Sequence, residues 1–489
     1  MSEFYTALDN LALLPAILLG VFGCAIFLLD IFSFPAVRTK HRLAWVVVAA
    51  EAVVSLTLYS QYAHLQRTGE SAINAFHGML SIDGFALFFN AMFVVAAVLT
   101  AMVSPRYLDE EGEQRGEYYG LILLAQCGMF FLAATTELVT LFVGLELMAL
   151  TFYVLVGFLA RDRRSNEAAM KYFVLGSFSS AFLAYGFSML YGLAGSTRMA
   201  DIVTAVSARP MGDPLLLAAV AGTLVGVLFK LGVAPFHMWV PDIYEGAPTP
   251  VTAYLSVASK AAAVAMLLRL FEGPFAASRE LWEPMLAVAA LLTIAVGNLA
   301  ALGQTSVKRL LAYSSVGHAG YILLGLVAGN ETGIKGAILY AFIYTFMNLG
   351  AFLVLIALHR RGVRGESIEE LVGLSRSNGP AAIAMMIFLI SLAGIPPTAG
   401  FLAKYYIFLA LIQTQHYTLA VVAVVFVAVA IYYYFRVIRA MFVQEPEELP
   451  ILRMGYGLRV AFAASVAGTL GIGVFAEPFV RLVGMSLLR

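Results

Sequence analysis

Apolar runs of about twenty residues, separated by short polar turns, recur along nearly the whole chain. Stretches such as 86–103, 138–160 and 281–302 are long enough to cross ~30 Å of hydrocarbon as α-helices. Fourteen spans are predicted, at about 11–31, 43–63, 84–104, 118–136, 138–160, 167–193, 215–241, 250–271, 283–303, 309–328, 335–358, 380–411, 417–440 and 457–485. The runs lack the alternating polarity of barrel strands. The fold class is therefore an all-α polytopic membrane protein. No Gly/Ser linker or low-complexity segment separates a second unit, so 1–489 forms a single transmembrane domain.

Two spans break the pattern. "KLGVAPFHMWVPDIYEGAPTP" carries Pro235, Pro241, Pro248 and Pro250, and "SLAGIPPTAGFLAKYY" carries Pro396 and Pro397. An internal proline removes a helical hydrogen bond and clashes with the carbonyl four residues earlier. In lipid the freed groups must face protein or a wet cavity. The broken spans are the seventh and the twelfth, an odd offset that gives them opposite directions across the membrane. Paired interruptions of this kind point to an inverted repeat with function at the breaks.

Composition sharpens the class. Of 489 residues, 61% are hydrophobic and 12% charged, against about 45–50% and ~25% in soluble domains. The start, "MSEFYTALDNLALLPAILLG", has no basic residue before its apolar run, so that run is expected to stay as a helix and not to act as a signal peptide. Cys24 and Cys127 stand alone in apolar segments and offer neither a disulfide framework nor a metal spacing. Zero net charge predicts no nucleic-acid partner. GxGxxG in a strand–helix setting, Walker, CxxC and metal-spaced His motifs are all missing from the sequence, so no cofactor is expected in this chain.

Basic residues predict the orientation. With the N-terminus outside, inward loops hold Arg38, Lys40, Arg42, Arg106, Arg115, Arg161, Arg163, Arg164, Lys308, Arg309, Arg360, Arg361, Arg364, Arg376 and Arg453. Outward loops hold little beyond Arg67, Arg198, Arg209 and Arg279. Both termini are then expected on the outer side.

The chain has seven lysines and 23 arginines. Arginines lie in loops or at span ends, whereas Lys171, Lys230, Lys260 and Lys404 lie within spans. Each costs roughly 2.5–3.5 kcal/mol at a helix centre. Arginine stays charged, but a lysine out of water gives up its proton readily. Four together would cost on the order of 10 kcal/mol, which a purely structural role for all of them does not readily explain. Lys171, close to a span end, has the plainer alternative of snorkelling to the interface. Glu146, eight residues into the fifth span, is the expected counter-charge, either in a tunable proton site or in a static ion pair. Glu137 reads as an outer-turn residue and Glu51 has no evident partner. His318, in the polar run "YSSVGHAGY", suits a proton relay, with simple hydrogen bonding as the alternative. His237, after the Pro235 break, reads as structural.

The segments "GLELMALTFYVLVGF", "EAAMKYFVLGSFSSAFLAYG", "FKLGVAPFHMWVPDIYEGAPTPVTAYLSVASK", "QTSVKRLLAYSSVGHAGY" and "SLAGIPPTAGFLAKYY" resemble the antiporter-like membrane subunits of respiratory complex I. The resemblance implies fourteen helices with two inverted five-helix repeats: residues 1–117 as three N-terminal helices, 118–271 and 283–440 as the repeats, and 457–485 as a last helix. It assigns Glu146 to the fifth-helix glutamate that pairs with Lys230 and Lys171 to the sixth-helix lysine. Lys260 falls on the eighth-helix connecting lysine, His318 on the relay histidine and Lys404 on the terminal lysine of the outward half-channel. Within the family, Lys404 stands where one sibling has glutamate, and the chain ends without another sibling's long lateral helix.

The resemblance implies a proton-translocating subunit of a bacterial inner-membrane NADH:quinone oxidoreductase, moving protons from cytoplasm to periplasm. NADH, FMN, iron–sulfur clusters and quinone are expected in partner subunits. The expected neighbours are other antiporter-like and small core subunits of the membrane arm, and lipid. A Mrp-type sodium/proton antiporter or a membrane-bound hydrogenase shares the same helices and lysines, and a passive scaffold is the reading from another class.

Overall fold

The structure is a computed structural model that describes residues 6–33, 37–360, 363–446, 449–452 and 454–487. Among these, thirteen helices are long and apolar enough to cross a membrane. They are Ala7–Phe32, Lys40–Thr68, Gly84–Glu111, Gly116–Ala134, Leu138–Val156, Arg163–Ala194, Pro214–Leu231, Thr249–Phe271, Ala276–Leu302, Val307–Ala328, Glu331–Leu358, Tyr417–Phe442 and Tyr456–Val474. The remaining span, the twelfth along the chain, is the pair of half-helices Gly379–Ala393 and Ala399–Gln413. All fourteen sequence-predicted spans are thus found, and we number them one to fourteen.

Three boundaries differ from the sequence reading. The seventh span stops at Leu231 and resumes as Trp239–Gly246, because the turn at Gly232 and Pro235 ends it where hydropathy alone reads straight through. The fourteenth stops at Val474 and a second helix, Ala476–Met485, follows. Between spans two and three the chain makes a hairpin, Ala72–Ala75 paired antiparallel with Leu80–Asp83, too short and mixed to stand out beside the helical runs. Of the charges that set the expected orientation, Arg361 and Arg453 lie outside the described residues, as does the Arg38 side chain.

Burial is distributed unevenly, and that positions the site. The eighth span is buried along its whole length, and the tenth and eleventh nearly so, whereas most of the first, thirteenth and fourteenth faces outward. A helix surrounded on all sides by other helices can hold polar groups away from lipid. The interior spans are the ones that carry Lys260, His318 and a set of buried tyrosines.

Small residues let the helices approach, as expected where lipid supplies no hydrophobic drive between them. A Cβ at Gly128 would meet the Gly144 carbonyl oxygen at 2.6 Å, locking spans four and five together, and one at Gly297 would meet the Gly317 backbone nitrogen at 2.5 Å between spans nine and ten. At the end away from the arginine-rich loops, Arg269 closes the bundle. Its guanidinium donates two bonds of 2.8 Å to Asp83, and its Nε donates to the Ala133 carbonyl. One side chain thereby ties the hairpin, span four and span eight together, in the bidentate geometry that favours arginine over lysine.

Gly297→Ala is expected to lower the thermal stability of the detergent-extracted protein by about 1–3 kcal/mol, the usual cost of overpacking. Gly303→Ala, where a Cβ meets nothing within 4 Å, should leave the melting curve unchanged.

Candidate functional site

The two breaks share one construction. In each, a glycine with positive φ ends the first half-helix, Gly232 at φ 71° and Gly394 at φ 85°, and a cis X–Pro bond follows, Ala234–Pro235 or Pro396–Pro397. The glycine amides turn back to carbonyls of the last turn, Phe229 in one case and Ile390 and Ser391 in the other, which is how a left-handed glycine stops a helix. Amides within the breaks find hydroxyls. The Ala234 N–H donates to Thr293 at 2.9 Å and the Gly400 N–H to Ser391 at 3.0 Å.

The lysines enter these breaks differently. Lys404 lies in the second half-helix and reaches back, donating to the Leu392 carbonyl at 3.1 Å and the Ala393 carbonyl at 2.8 Å. Those are the orphan acceptors at the negative end of the first half-helix, where a cation is favoured. Gly394 gives it room, since a Cβ there would lie 2.7 Å from Lys404 Cδ. Lys230 precedes its break. The Phe229 carbonyl, which the Gly232 amide already bonds, also accepts from the Trp239 indole N–H at 2.9 Å, and Lys230 Nζ is buried with no hydrogen-bond partner among the described residues. It lies 5.9 Å from the centroids of the Tyr153 and Phe229 rings.

From Lys260 onward the polar groups connect. Lys260 follows a π-helical turn, Leu255–Ser259, a distortion often found at functional positions. Its ammonium donates to the carbonyl and the hydroxyl of Ser315, each at 2.5 Å, and stands 5.5 Å from the centroid of the Tyr344 ring. Next to Ser315, the Ser314 hydroxyl bonds that of Tyr434. Tyr434 in turn lies 3.2 Å from His318 Nε2, and His318 Nδ1 lies 2.6 Å from the Tyr340 hydroxyl. The Tyr340 ring stacks on Tyr321 with centroids 6.4 Å apart, and Lys404 Nζ sits 5.1 Å above Tyr321. Lys260, His318 and Lys404 are buried. Spans eight, ten, eleven, twelve and thirteen thus each contribute to one internal series between the two lysines.

The other two site residues lie apart from that series. Glu146 accepts a 2.5 Å bond from the Ser180 hydroxyl of span six and makes no direct bond to Lys230. The expected pair is therefore two nearby charges separated by a gap, with Tyr153 beside both. Lys171 is 43% exposed and holds Glu167 and Asp242, each at 2.9 Å. Arg309 of span ten also grips Asp242, at 3.2 Å. Lys171 thus sits in a surface ion cluster at the arginine-rich end, the outcome that snorkelling describes. Asp242 and Lys404 each stand ten residues beyond the glycine of their break, a carboxylate in one half where the other has an amine.

Sequence reasoning did not single out Tyr434, Tyr340, Tyr321 or Ser180, whose roles depend on which helices meet. Ser314 and Ser315 were visible in the run around His318. Lys308, counted with the loop charges, is 1% exposed; it bonds Glu366 at 2.8 Å and the Ala247 carbonyl at 2.7 Å. Glu137 caps the fifth span through Thr140, as an outer-turn residue should. Among the described residues no group of His, Cys, Asp and Glu is placed to hold a metal ion.

Residues 135–430 match the family described as NADH:quinone oxidoreductase/Mrp antiporter, transmembrane. NADH-quinone oxidoreductase subunit N 2 of Solibacter usitatus is 58% identical, with 100% of this chain and 99% of the relative aligned. A chain of respiratory complex I from Thermus thermophilus, solved with bound aureothin, is 32% identical and superimposes with a TM-score of 0.78 over 96% of this chain and 98% of that one. A chain of the Mrp complex from Dietzia sp. shares the fold, with a TM-score of 0.84 at 22% identity over 98% and 97% of the two chains. With the sequence match spanning its whole length and the broken helices in place, the chain belongs to the NADH:quinone oxidoreductase/Mrp antiporter family of membrane proteins.

Proposed function

We propose that this chain is a proton-conducting membrane-arm subunit of an NADH:quinone oxidoreductase. Lys260, His318 and Lys404 carry protons through the buried centre, and Glu146 and Lys230 set the charge next to them. The observation that carries the reading is the series Lys260–Ser315/Ser314–Tyr434–His318–Tyr340, closed by Lys404 above Tyr321. Hydrogen bonds run from Ser314 through Tyr434 and His318 to Tyr340, Lys260 bonds the adjoining Ser315, and Lys404 meets the series at the Tyr321 ring. Static packing needs no such gathering of hydroxyls and imidazole between two amines, and buried polar groups are costly unless paired. The rearrangement Lys–hydroxyl–imidazole–hydroxyl can pass a proton because each member gains one on one side as it loses one on the other.

In this reading Lys171 belongs to the surface cluster with Asp242 and Arg309, coupling spans six, seven and ten at the arginine-rich end. That end faces the cytoplasm by the distribution of basic loops, which puts both termini in the periplasm of a bacterial inner membrane. The two repeats are residues 118–271 and 283–440, each with its break in the fourth of its five spans. Electrons pass through partner subunits that hold FMN, iron–sulfur clusters and quinone, and this chain responds to them through the membrane arm. A second reading, in which the lysines only hold the fold, finds support at Lys404, whose bonds to Leu392 and Ala393 cap a half-helix.

Arginine separates the two. Lys404→Arg and Lys260→Arg retain a charge and donors but cannot release a proton. In the assembled enzyme each should cut proton translocation coupled to NADH oxidation by about tenfold or more, within the range of a lost acid–base group. Normal proton-to-electron stoichiometry in both would favour the structural reading, and so would normal stoichiometry in Lys230→Ala with the complex intact.

Tyr434→Phe removes only the hydroxyl between Ser314 and His318. The expected result is slowed proton translocation with wild-type assembly, measured as pH change in proteoliposomes against NADH oxidation. An unchanged rate would take Tyr434 out of the path.

A further inference from the structure

Glu51, on the second span, stands outside the lysine series and is 0% exposed. The sequence offers it no partner, but the fold brings Gln126 of the fourth span to it, and Gln126 Nε2 donates to Glu51 Oε2 at 3.1 Å. Two oxygens remain. Glu51 Oε1 and Gln126 Oε1 are both buried, and neither has a hydrogen-bond partner among the described residues. As a carboxylate, Glu51 would leave two acceptors without a donor inside the membrane, one of them sharing a negative charge, which hydrocarbon surroundings penalise heavily. A single proton removes both deficits. Placed on Glu51 Oε1 it donates to Gln126 Oε1, while the amide N–H donates to Oε2, closing an acid–amide ring with every polar atom paired. The opposite orientation of the amide gives the same ring with the proton on Oε2.

We propose that Glu51 is a proton-binding site in the N-terminal helices, held as a neutral carboxylic acid by Gln126. The charged and titratable groups around it fit. On span one, Asp9 is engaged at one end by Thr6 and the Phe76 amide, and Asp30 at the other by Lys40. Gln61 of its own span is turned to the Leu11 and Ala12 carbonyls. On span four the Cys127 thiol points to the Ala16 carbonyl. From span eight, the buried Tyr254 donates its hydroxyl to the Ile122 carbonyl at 3.3 Å, one helical turn from Gln126. Tyr254 lies six residues before Lys260.

The inference does not rest on proton transport by this chain, and its test reads the acid directly. In the purified complex, the infrared difference between wild type and Glu51→Gln should show loss of a protonated carboxylic carbonyl band that shifts on exchange into heavy water. Gln126→Leu, which removes the acceptor, should move that band to higher frequency. Glu51→Gln should assemble to wild-type yield, because an amide–amide ring replaces the acid–amide ring. Loss of carboxylate bands in place of the carbonyl band would overturn the proposal. Failure of Glu51→Gln to assemble while Glu51→Asp does assemble would overturn it as well, since the site would then require a charge.

Discussion

Inside a bilayer a backbone carbonyl released from its helix has only the protein to bond to, and the seventh and twelfth spans both release carbonyls at mid-span. The fold answers that demand twice with different chemistry. An indole N–H closes the first break at Phe229, and an ammonium closes the second at Leu392 and Ala393. Lys230 lies before its break and is left without a hydrogen-bond partner among the described residues, whereas Lys404 lies after its break, reaches back and is held by two carbonyls. The same backbone solution thus leaves one amine loosely placed and the other tethered. Much of what each lysine can do follows from that difference.

A second consequence concerns where polar groups are tolerated. Spans eight, ten and eleven are shielded by the rest of the bundle, so serine, tyrosine and histidine side chains there meet each other and not lipid. The hydrogen bonds run through these three spans and reach outward at Tyr434, while Lys404 meets the group through the Tyr321 ring. Between Lys230 and Lys260 lies instead a layer of aromatic rings, Phe229, Trp239, Tyr172 and Tyr244. The two halves of the molecule are therefore unequal in character: largely aromatic before Lys260 and richer in hydrogen-bonded polar groups after it.

How much of this the sequence discloses follows from the range of each signal. The spans are local, a matter of twenty apolar residues in a row, and all fourteen are legible. The breaks are legible because Gly and Pro act on their own backbone. Lys230, Lys260, His318 and Lys404 stand out because charge and imidazole are rare in such runs. The partners are another matter. Tyr434 meets His318 across 116 positions and Gln126 meets Glu51 across 75, and tyrosine and glutamine are too common to announce such meetings. Glu146 and Lys230 show the converse limit: two charges correctly placed in one neighbourhood, yet not in contact. The hairpin at 72–83 was missed because four-residue strands carry too little pattern to compete with the helices on either side.

The π-helical turn at Leu255–Ser259 has a geometric effect on everything that follows it. A π turn accommodates one more residue than an α turn, and each residue of an α-helix advances the face by about 100°. The part of span eight after Ser259 is therefore rotated by roughly that angle from where an unbroken helix would have carried it. Tyr254, before the turn, addresses Ile122 on span four; Lys260, after it, addresses Ser315 on span ten. One inserted residue lets a single helix serve two neighbours on different sides. Without the bulge, the part of the span that carries Lys260 would turn the amine away from that serine.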